Sequence, residues 1–383
     1  MGDRTREQRV ITGELTRIGR HPETWGTYPM KGVYESKRMT RTTSRIGSLL
    51  ATALRGAWRE PPPPVAMSAD ELGEIAPLLL ETGGGALGWW RFQHSPLATS
   101  PAGGRLKMAY RLHTLDAEVH EREIARVVVR LRSEGLDPVL AKGWAIARLY
   151  PETGLRPYGD IDLLVGPEAF SASRVPPRVG GAPVDFHRRF AELDDRPLDE
   201  LYRRSQLVAL GDVDVRILGP EDHLRLLCLH LLKHGFWRPT WLCDIGVALD
   251  CLPADFDWDY FHVGKKRRSS WAVCVLLVAQ QLLGGRLDGP REDRMAVELP
   301  TWLIPAVLTA WESGHPPYVR PLISYLRRPA GVVQAVRQCW PSRIQASARW
   351  RTPSSKLPAP PIQAWDFTVR AIQLIVRRGR VRP

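Results

Sequence analysis

The chain has 383 residues, 44% of them hydrophobic and 25% charged. Such a composition excludes a disordered or collagen-like polypeptide and fits a soluble globular protein with room for one large domain or two ordinary ones. The formal net charge of +13 suits polyanions or the phosphates of a small ligand without choosing between them, because an arginine-rich bias also follows from genome base composition.

Residues 1–65 mix Arg, Thr and Gly with little periodicity and end in Pro61, Pro62, Pro63 and Pro64, a stiff extended run because proline fixes its own backbone angle. This predicts a basic, mobile extension. From Ser68, a capping residue, a helix bearing Leu72, Ile75, Leu78 and Leu79 begins, and a long amphipathic run from Leu106 to Ser133 closes at Gly135. N-terminal helices are therefore expected over 66–135. Pro138 to Ala141 then reads as a strand, Lys142-Gly143 as a turn, and Trp144 to Tyr150 as a helix. After the polar loop Pro151 to Gly159, Asp160 to Val165 predicts a second strand, and Pro183 to His187 a short third one. Residues 136–218 thus form a sheet carrying helices. From Pro220 the pattern is helical, with Leu224, Leu227, Cys228 and Leu231 on one stripe and further helices near 241–251, 257–266, 271–284, 297–312 and 362–378. The region 219–383 is expected to be almost wholly helical.

The five cysteines, Cys228, Cys243, Cys251, Cys274 and Cys339, contain no C-x-x-C pair and are odd in number. They read as reduced thiols in a cytoplasmic protein, and no apolar stretch predicts a signal or a membrane partner.

Side chains two apart on a strand share a face, so Asp160 and Asp162 are expected to project together while Ile161 and Leu163 enter the core. Adjacent like charges repel unless a cation offsets them. Mg²⁺, which takes hard oxygen ligands together with substrate phosphates, is the economical partner, and a two-ion arrangement calls for a third carboxylate. Asp185 is favoured for it; Asp214, in the second D-x-D at Asp212-Val213-Asp214, competes, although Asp212 to Ile217 also reads as an edge strand with solvated acids. A D-x-D pair alone is common on solvated strands. Here it lies beyond Lys142-Gly143, a strand-to-helix turn whose glycine lets backbone approach a triphosphate, and four residues after Arg156, whose guanidinium suits phosphate. His230 and His234 stand four apart on one helix with Asp244 beyond them. That spacing allows a zinc site, but without an H-E-x-x-H pattern an accessory role in hydrogen bonding or substrate orientation is preferred. Trp89, Trp90, Trp237 and Trp241 are read as packing residues.

The stretches Val139-Leu140-Ala141-Lys142-Gly143-Trp144-Ala145 and Gly154-Leu155-Arg156-Pro157-Tyr158-Gly159-Asp160-Ile161-Asp162-Leu163-Leu164-Val165 together resemble the bacterial uncharacterised nucleotidyltransferase family. Val184-Asp185-Phe186-His187, Leu218 to Leu224, Leu229 to Gly235 and Trp241 to Ile245 continue the likeness, which runs over residues 70 to 330 and is strongest from 139 to 250. The resemblance implies an α/β (α+β) fold of the polymerase-β-like nucleotidyltransferase type, a small mixed sheet flanked by N-terminal and C-terminal helices. It implies Asp160, Asp162 and Asp185 as metal ligands, Lys142 and Gly143 at the phosphates, His187 as a further motif residue, and two Mg²⁺ with a nucleoside triphosphate as co-substrate. The implied reaction moves a nucleoside monophosphate to a hydroxyl of a small molecule, a peptide or protein, or an RNA end; nucleic acid is allowed as a partner but not required. Two departures stand out. Lys142-Gly143 stands where the wider superfamily usually has Gly-Ser or Gly-Gly, so a serine contact to phosphate is missing and a lysine is offered instead. The segment Gly166 to Ala182, with Pro176, Pro177, Gly180 and Gly181, leaves little room for the helix and extra strand of relatives. A catalytically weakened nucleotide- or peptide-binding module is the alternative.

Overall fold

Six short strands form one mixed sheet in the order β3-β4-β2-β1-β6-β5. They are β1 (Val139–Ala141), β2 (Ile161–Leu164), β3 (Arg178–Val179), β4 (Ala182–His187), β5 (Gln206–Leu210) and β6 (Val213–Ile217). The computed structural model describes residues 44–166, 178–179, 182–287, 297–314 and 340–379. β1 runs antiparallel to β2 and parallel to β6, while β2 runs parallel to β4. The register places Ala141 opposite Asp162, and Asp162 opposite Asp185.

Alternation along each strand sorts the sheet into two faces. Leu140, Ile161, Leu163, Val184, Val215 and Ile217 share one, under the helix Pro101–Ser133, whose Ile124, Val127, Val128 and Leu131 follow helical spacing. Val139, Ala141, Leu164 and Leu218 share a core on the other side with Phe190, Leu193 and Leu201, and with Leu226 of the helix Pro220–Lys233. Because Asp162 lies two positions from Leu164, it belongs to this second face. Both faces of the small sheet are covered around β2, so Asp162 is withdrawn from water.

The largest core is helical and takes in residues from both ends of the described chain. The helix Ala69–Glu81 starts at Ser68 with a complete capping box closed by Glu71 and buries Leu72, Ile75 and Leu79. The long helix starts earlier than its apolar pattern suggested, since Ser100 caps it and Pro101 opens it, and it ends before Gly135 in a left-handed conformation. The C-terminal elements include Pro239–Asp250, Lys266–Val278, Leu303–Ser313 and Ala359–Gly379, close to the expected helices. Cys228, Cys243, Cys251 and Cys274 are free thiols, and Cys339 lies outside the described residues. No helix among the described residues is long and apolar enough to cross a membrane.

Three expectations are corrected. Residues 1–43 of the proposed extension lie outside the described residues, but residues 45–58 are built into the core: Arg45–Leu54 is a helix capped by Ser44, burying Leu50, Ala53 and Leu54, with Ala57 and Trp58 following. Burial of that apolar stripe outweighs the polar composition around it. β6 is not an edge strand, because it lies between β1 and β5 and buries Val215 and Ile217. The segment before β4 does hold an extra strand, β3, with Arg178 opposite Pro183 and Val179 opposite Ala182. The remainder of the segment, 167–177 and 180–181, lies outside the described residues.

Trp58 packs so closely on the helix Pro239–Asp250 that a Cβ at Gly246 would run into its indole ring. The ring is held by its own hydrogen bond to Asp250, at 3.0 Å. Gly246→Ala is expected to destabilise the fold by about 1–3 kcal/mol through overpacking. A shift in the denaturant midpoint measures it, and an unchanged midpoint would show that Trp58 moves aside without cost.

Candidate functional site

The second face of the sheet opens at the end of β1. Lys142 follows the strand with φ 53° and Gly143 with φ 37°, and the short helix Gly143–Ala147 begins there. A Cβ on Gly143 would sit 3.3 Å from the backbone oxygen of Asp160, so glycine lets the turn lie close against the chain entering β2. Lys142, a non-glycine residue in left-handed backbone, holds a strained position of the kind that clusters at functional sites. Its ammonium reaches Asp162 Oδ1 at 2.9 Å and lies 5.7 Å from the Phe190 ring centre.

Asp162 is 4% exposed. It accepts hydrogen bonds from Lys142 and from His187 Nε2, the latter at 2.8 Å, while the His187 ring packs on Phe190 at 4.7 Å. Burial pushes the carboxyl upward, but the His187 hydrogen bond and the Lys142 charge outweigh it, so its pKa lies below the ordinary value. Asp185, on the neighbouring strand in register, is exposed and has no hydrogen bond or ion pair among the described residues. Ligand atoms of Asp162, Asp185 and His187 lie within 4.8 Å of one another. Two carboxylate oxygens and an imidazole nitrogen make a donor set that fits a divalent cation, with the carboxylates the donors that Mg²⁺ prefers.

The other expected residues divide. Asp160 is exposed, one residue before β2 begins, and is not part of the convergent trio; the pair that meets is Asp162 with Asp185, because β4 docks beside β2. Asp214 is on β6, with β1 between it and β2, and does not compete for the same ion. Arg156 is turned inward: its Nη2 donates to Asp244 at 2.8 Å and its Nε at 3.2 Å, and Tyr150 donates to the same carboxylate at 2.8 Å. The Tyr150 hydroxyl, raised well above its usual pKa by burial and then by the Asp244 charge, stays protonated to do so. Arg156 and Asp244, 8% and 1% exposed, thus spend their charges on one another. The expected contact of Arg156 with phosphate and the accessory place of Asp244 beside the histidines are both corrected by this pairing.

His230 and His234 do lie together, ring centres 4.4 Å apart and tilted, with edge-on contacts to Trp241 at 5.0 and 5.2 Å. With Asp244 withdrawn they do not form a three-ligand zinc site among the described residues; Glu192 stands 3.6 Å from His230. Phe190, Glu192 and Tyr150 belong to the site's surroundings without any motif that marks them, although Phe190 falls three residues after His187.

A family model described as an uncharacterised nucleotidyltransferase matches residues 91–175 and 170–284, together just over half of the chain. The chain belongs to this uncharacterised nucleotidyltransferase family. The matched region of the nucleotidyltransferase takes in all six strands, the Lys142-Gly143 turn, the three clustered donors and the helices packed behind them. Searches of curated proteins and of solved structures each give no match.

Two histidines on this side give the nucleotidyltransferase an acid limit. Burial lowers the pKa of His223 to about 4 and of His234 to about 3, the neighbouring cations adding to the effect. The unfolded chain takes up these protons at its ordinary value of about 6.5, so stability is lost as pH falls from there toward 4. Asp222, raised to about 6 by burial, opposes this in part, since its cost disappears as pH falls through the same window. Denaturant unfolding at pH 7 and at pH 5 is expected to show lower stability at pH 5. His223→Gln is expected to reduce the difference, and an equal or greater stability at pH 5 would contradict the assignment.

Proposed function

We propose that this nucleotidyltransferase transfers a nucleoside monophosphate from a nucleoside triphosphate to an acceptor hydroxyl and requires Mg²⁺. The observation that carries the reading is the in-register placement of Asp162 and Asp185 on adjacent parallel strands, beside a lysine turn, in a chain of this family. Asp162 and Asp185 would hold Mg²⁺, with Asp160 at the mouth as the third acid and, where two ions bind, a shared ligand. Bound there, the metal supplies positive charge to the triphosphate and lowers the pKa of the attacking hydroxyl. Lys142 keeps Asp162 ionised and contributes charge on the phosphate side, Gly143 gives the phosphates close access to backbone, and His187 fixes the orientation of Asp162. The acceptor is a hydroxyl on a small molecule, a peptide or protein, or an RNA end. Free thiols at Cys228, Cys243, Cys251 and Cys274 support a cytoplasmic, reducing setting.

A second reading, a binding module with weakened catalysis, is favoured by one observation: the Lys142 ammonium already neutralises Asp162. Labelled ATP, GTP, CTP and UTP with Mg²⁺ and a cell extract separate the two. Transfer of label by the wild type, lost in Asp185→Asn, supports the enzyme. Binding of nucleotide without transfer or pyrophosphate release from any of the four supports the module.

A further inference from the structure

Arg238 lies at the start of the helix Pro239–Asp250. Its Nε donates to the backbone oxygen of Thr82 at 2.8 Å, and Thr240 Oγ1 donates to the same oxygen at 3.0 Å, so the base of the guanidinium is anchored. The plane lies 5.6 and 5.9 Å from the ring centres of Trp241 and Trp237. Gly83, with φ 78°, makes room for it: a Cβ there would stand 2.8 Å from Nη2 and 3.2 Å from Pro157 Cγ. Pro157 precedes Asp160 by three residues, so the guanidinium borders the segment that leads into the acid site.

The two terminal nitrogens of Arg238 have no acceptor and no acidic partner among the described residues. Of the two carboxylates near enough to favour its charge, Asp244 is fully engaged by Arg156 and Tyr150, and Asp160 is exposed at the entrance to β2, beyond ion-pair distance. Burial, together with the Arg156 charge, lowers the pKa of Arg238 to about 10, which leaves it cationic at neutral pH. A half-buried guanidinium held at its base and left with four free N–H donors is suited to bidentate recognition of phosphate. The tryptophan faces restrict its movement without neutralising it.

We infer that Arg238, framed by Gly83, Pro157 and Trp241, is an anion subsite that takes the polyphosphate chain of the nucleotide. This rests on the proposed transfer reaction for the identity of the natural ligand. It gives the phosphate-binding role to Arg238, since Arg156 is committed to Asp244.

The test uses the full chain at about 0.15 M salt, where diffuse charge attraction is largely screened, and inorganic tripolyphosphate with Mg²⁺ as the probe in titration calorimetry. Arg238→Ala is expected to weaken binding about 10- to 100-fold, the loss of one or two charge-assisted hydrogen bonds. Arg238→Lys should recover only part of it, because an ammonium lacks the planar fork. Arg111→Ala, on the exposed side of the long helix, is the charge control and should bind as wild type. Should Arg238→Ala not fold, Arg238→Gln gives the same reading. Wild-type affinity in the Arg238 variants, an equal loss in Arg111→Ala, or no binding by the wild type overturns the inference. Tripolyphosphate binding through Arg238 without nucleotidyl transfer leaves the subsite standing and rejects the reaction; transfer with unaltered phosphate affinity in Arg238→Ala does the reverse.

Discussion

Asp162→Asn is expected to reduce nucleotidyl transfer by about 10³-fold or more, the consequence of losing several kcal/mol of charge stabilisation at the proposed metal-dependent phosphoryl centre. The carboxylate is buried, it faces Asp185 across the strand pair, and both Lys142 and His187 are aimed at it. An amide at this position keeps the shape and removes the charge. It also leaves the Lys142 ammonium without its counter-ion, so the variant carries a folding cost of about 1–3 kcal/mol. Asp185→Asn separates the two effects. Asp185 is exposed and unpaired among the described residues, so its substitution should alter stability by less than about 0.5 kcal/mol while lowering transfer comparably. Initial rates of label transfer, read beside denaturant midpoints for both variants, check this. Full transfer by Asp185→Asn would remove that residue from the metal set.

The largest stability effect belongs to Asp244→Asn. Arg156 donates to both oxygens of Asp244 inside the helical core, and Tyr150 donates to one of them. Removing the negative charge strands a guanidinium in a low-dielectric interior, at a cost of about 3–5 kcal/mol, a large part of the stability of an ordinary domain. The pair also fixes the loop from Gly154 to Gly159 that delivers Asp160 and Asp162, so transfer should fall with it. Replacing both charges, Arg156→Met with Asp244→Leu, is expected to restore much of the lost stability, because no unpaired charge then remains. Urea unfolding of the two variants measures the difference. A loss below about 1 kcal/mol in Asp244→Asn would mean that water or another group reaches Arg156.

What could be read from the residues was local. Ser68 announces its helix because the capping box acts within one turn, and the run Val139 to Val165 declares strand, turn, helix and strand because its apolar positions change period at Lys142-Gly143. Asp185 is preferred to Asp214 in the sequence because Val184-Asp185-Phe186-His187 continues the family likeness, and the register of β2 with β4 gives that preference a geometric cause. Long-range partners were not legible. Arg156 meets Asp244 across 88 residues of chain, and no spacing rule states which charges a fold will bury together. The same gap hid the inward fate of Arg156 and allowed Asp160 to stand for the convergent pair, since alternation gives the face of a side chain but not where the strand begins. The helix Arg45–Leu54 was concealed by its setting: its apolar stripe is short, lies beside arginine-rich and proline-rich sequence, and gains its stability from packing against helices far along the chain. β3 is two residues long and carries no pattern at all.

Asp162 and Asp185 are proposed to bind a divalent ion together, in the company of a nucleotide. Electron paramagnetic resonance of Mn²⁺, titrated into the full chain with a non-hydrolysable nucleoside triphosphate analogue, tests it without reference to any acceptor. The wild type should bind Mn²⁺ more tightly with the nucleotide than either does alone, and Asp162→Asn and Asp185→Asn should each abolish that gain. Equal Mn²⁺ uptake by the wild type and both variants would contradict this and leave Asp162 as a fold-stabilising partner of Lys142 and His187.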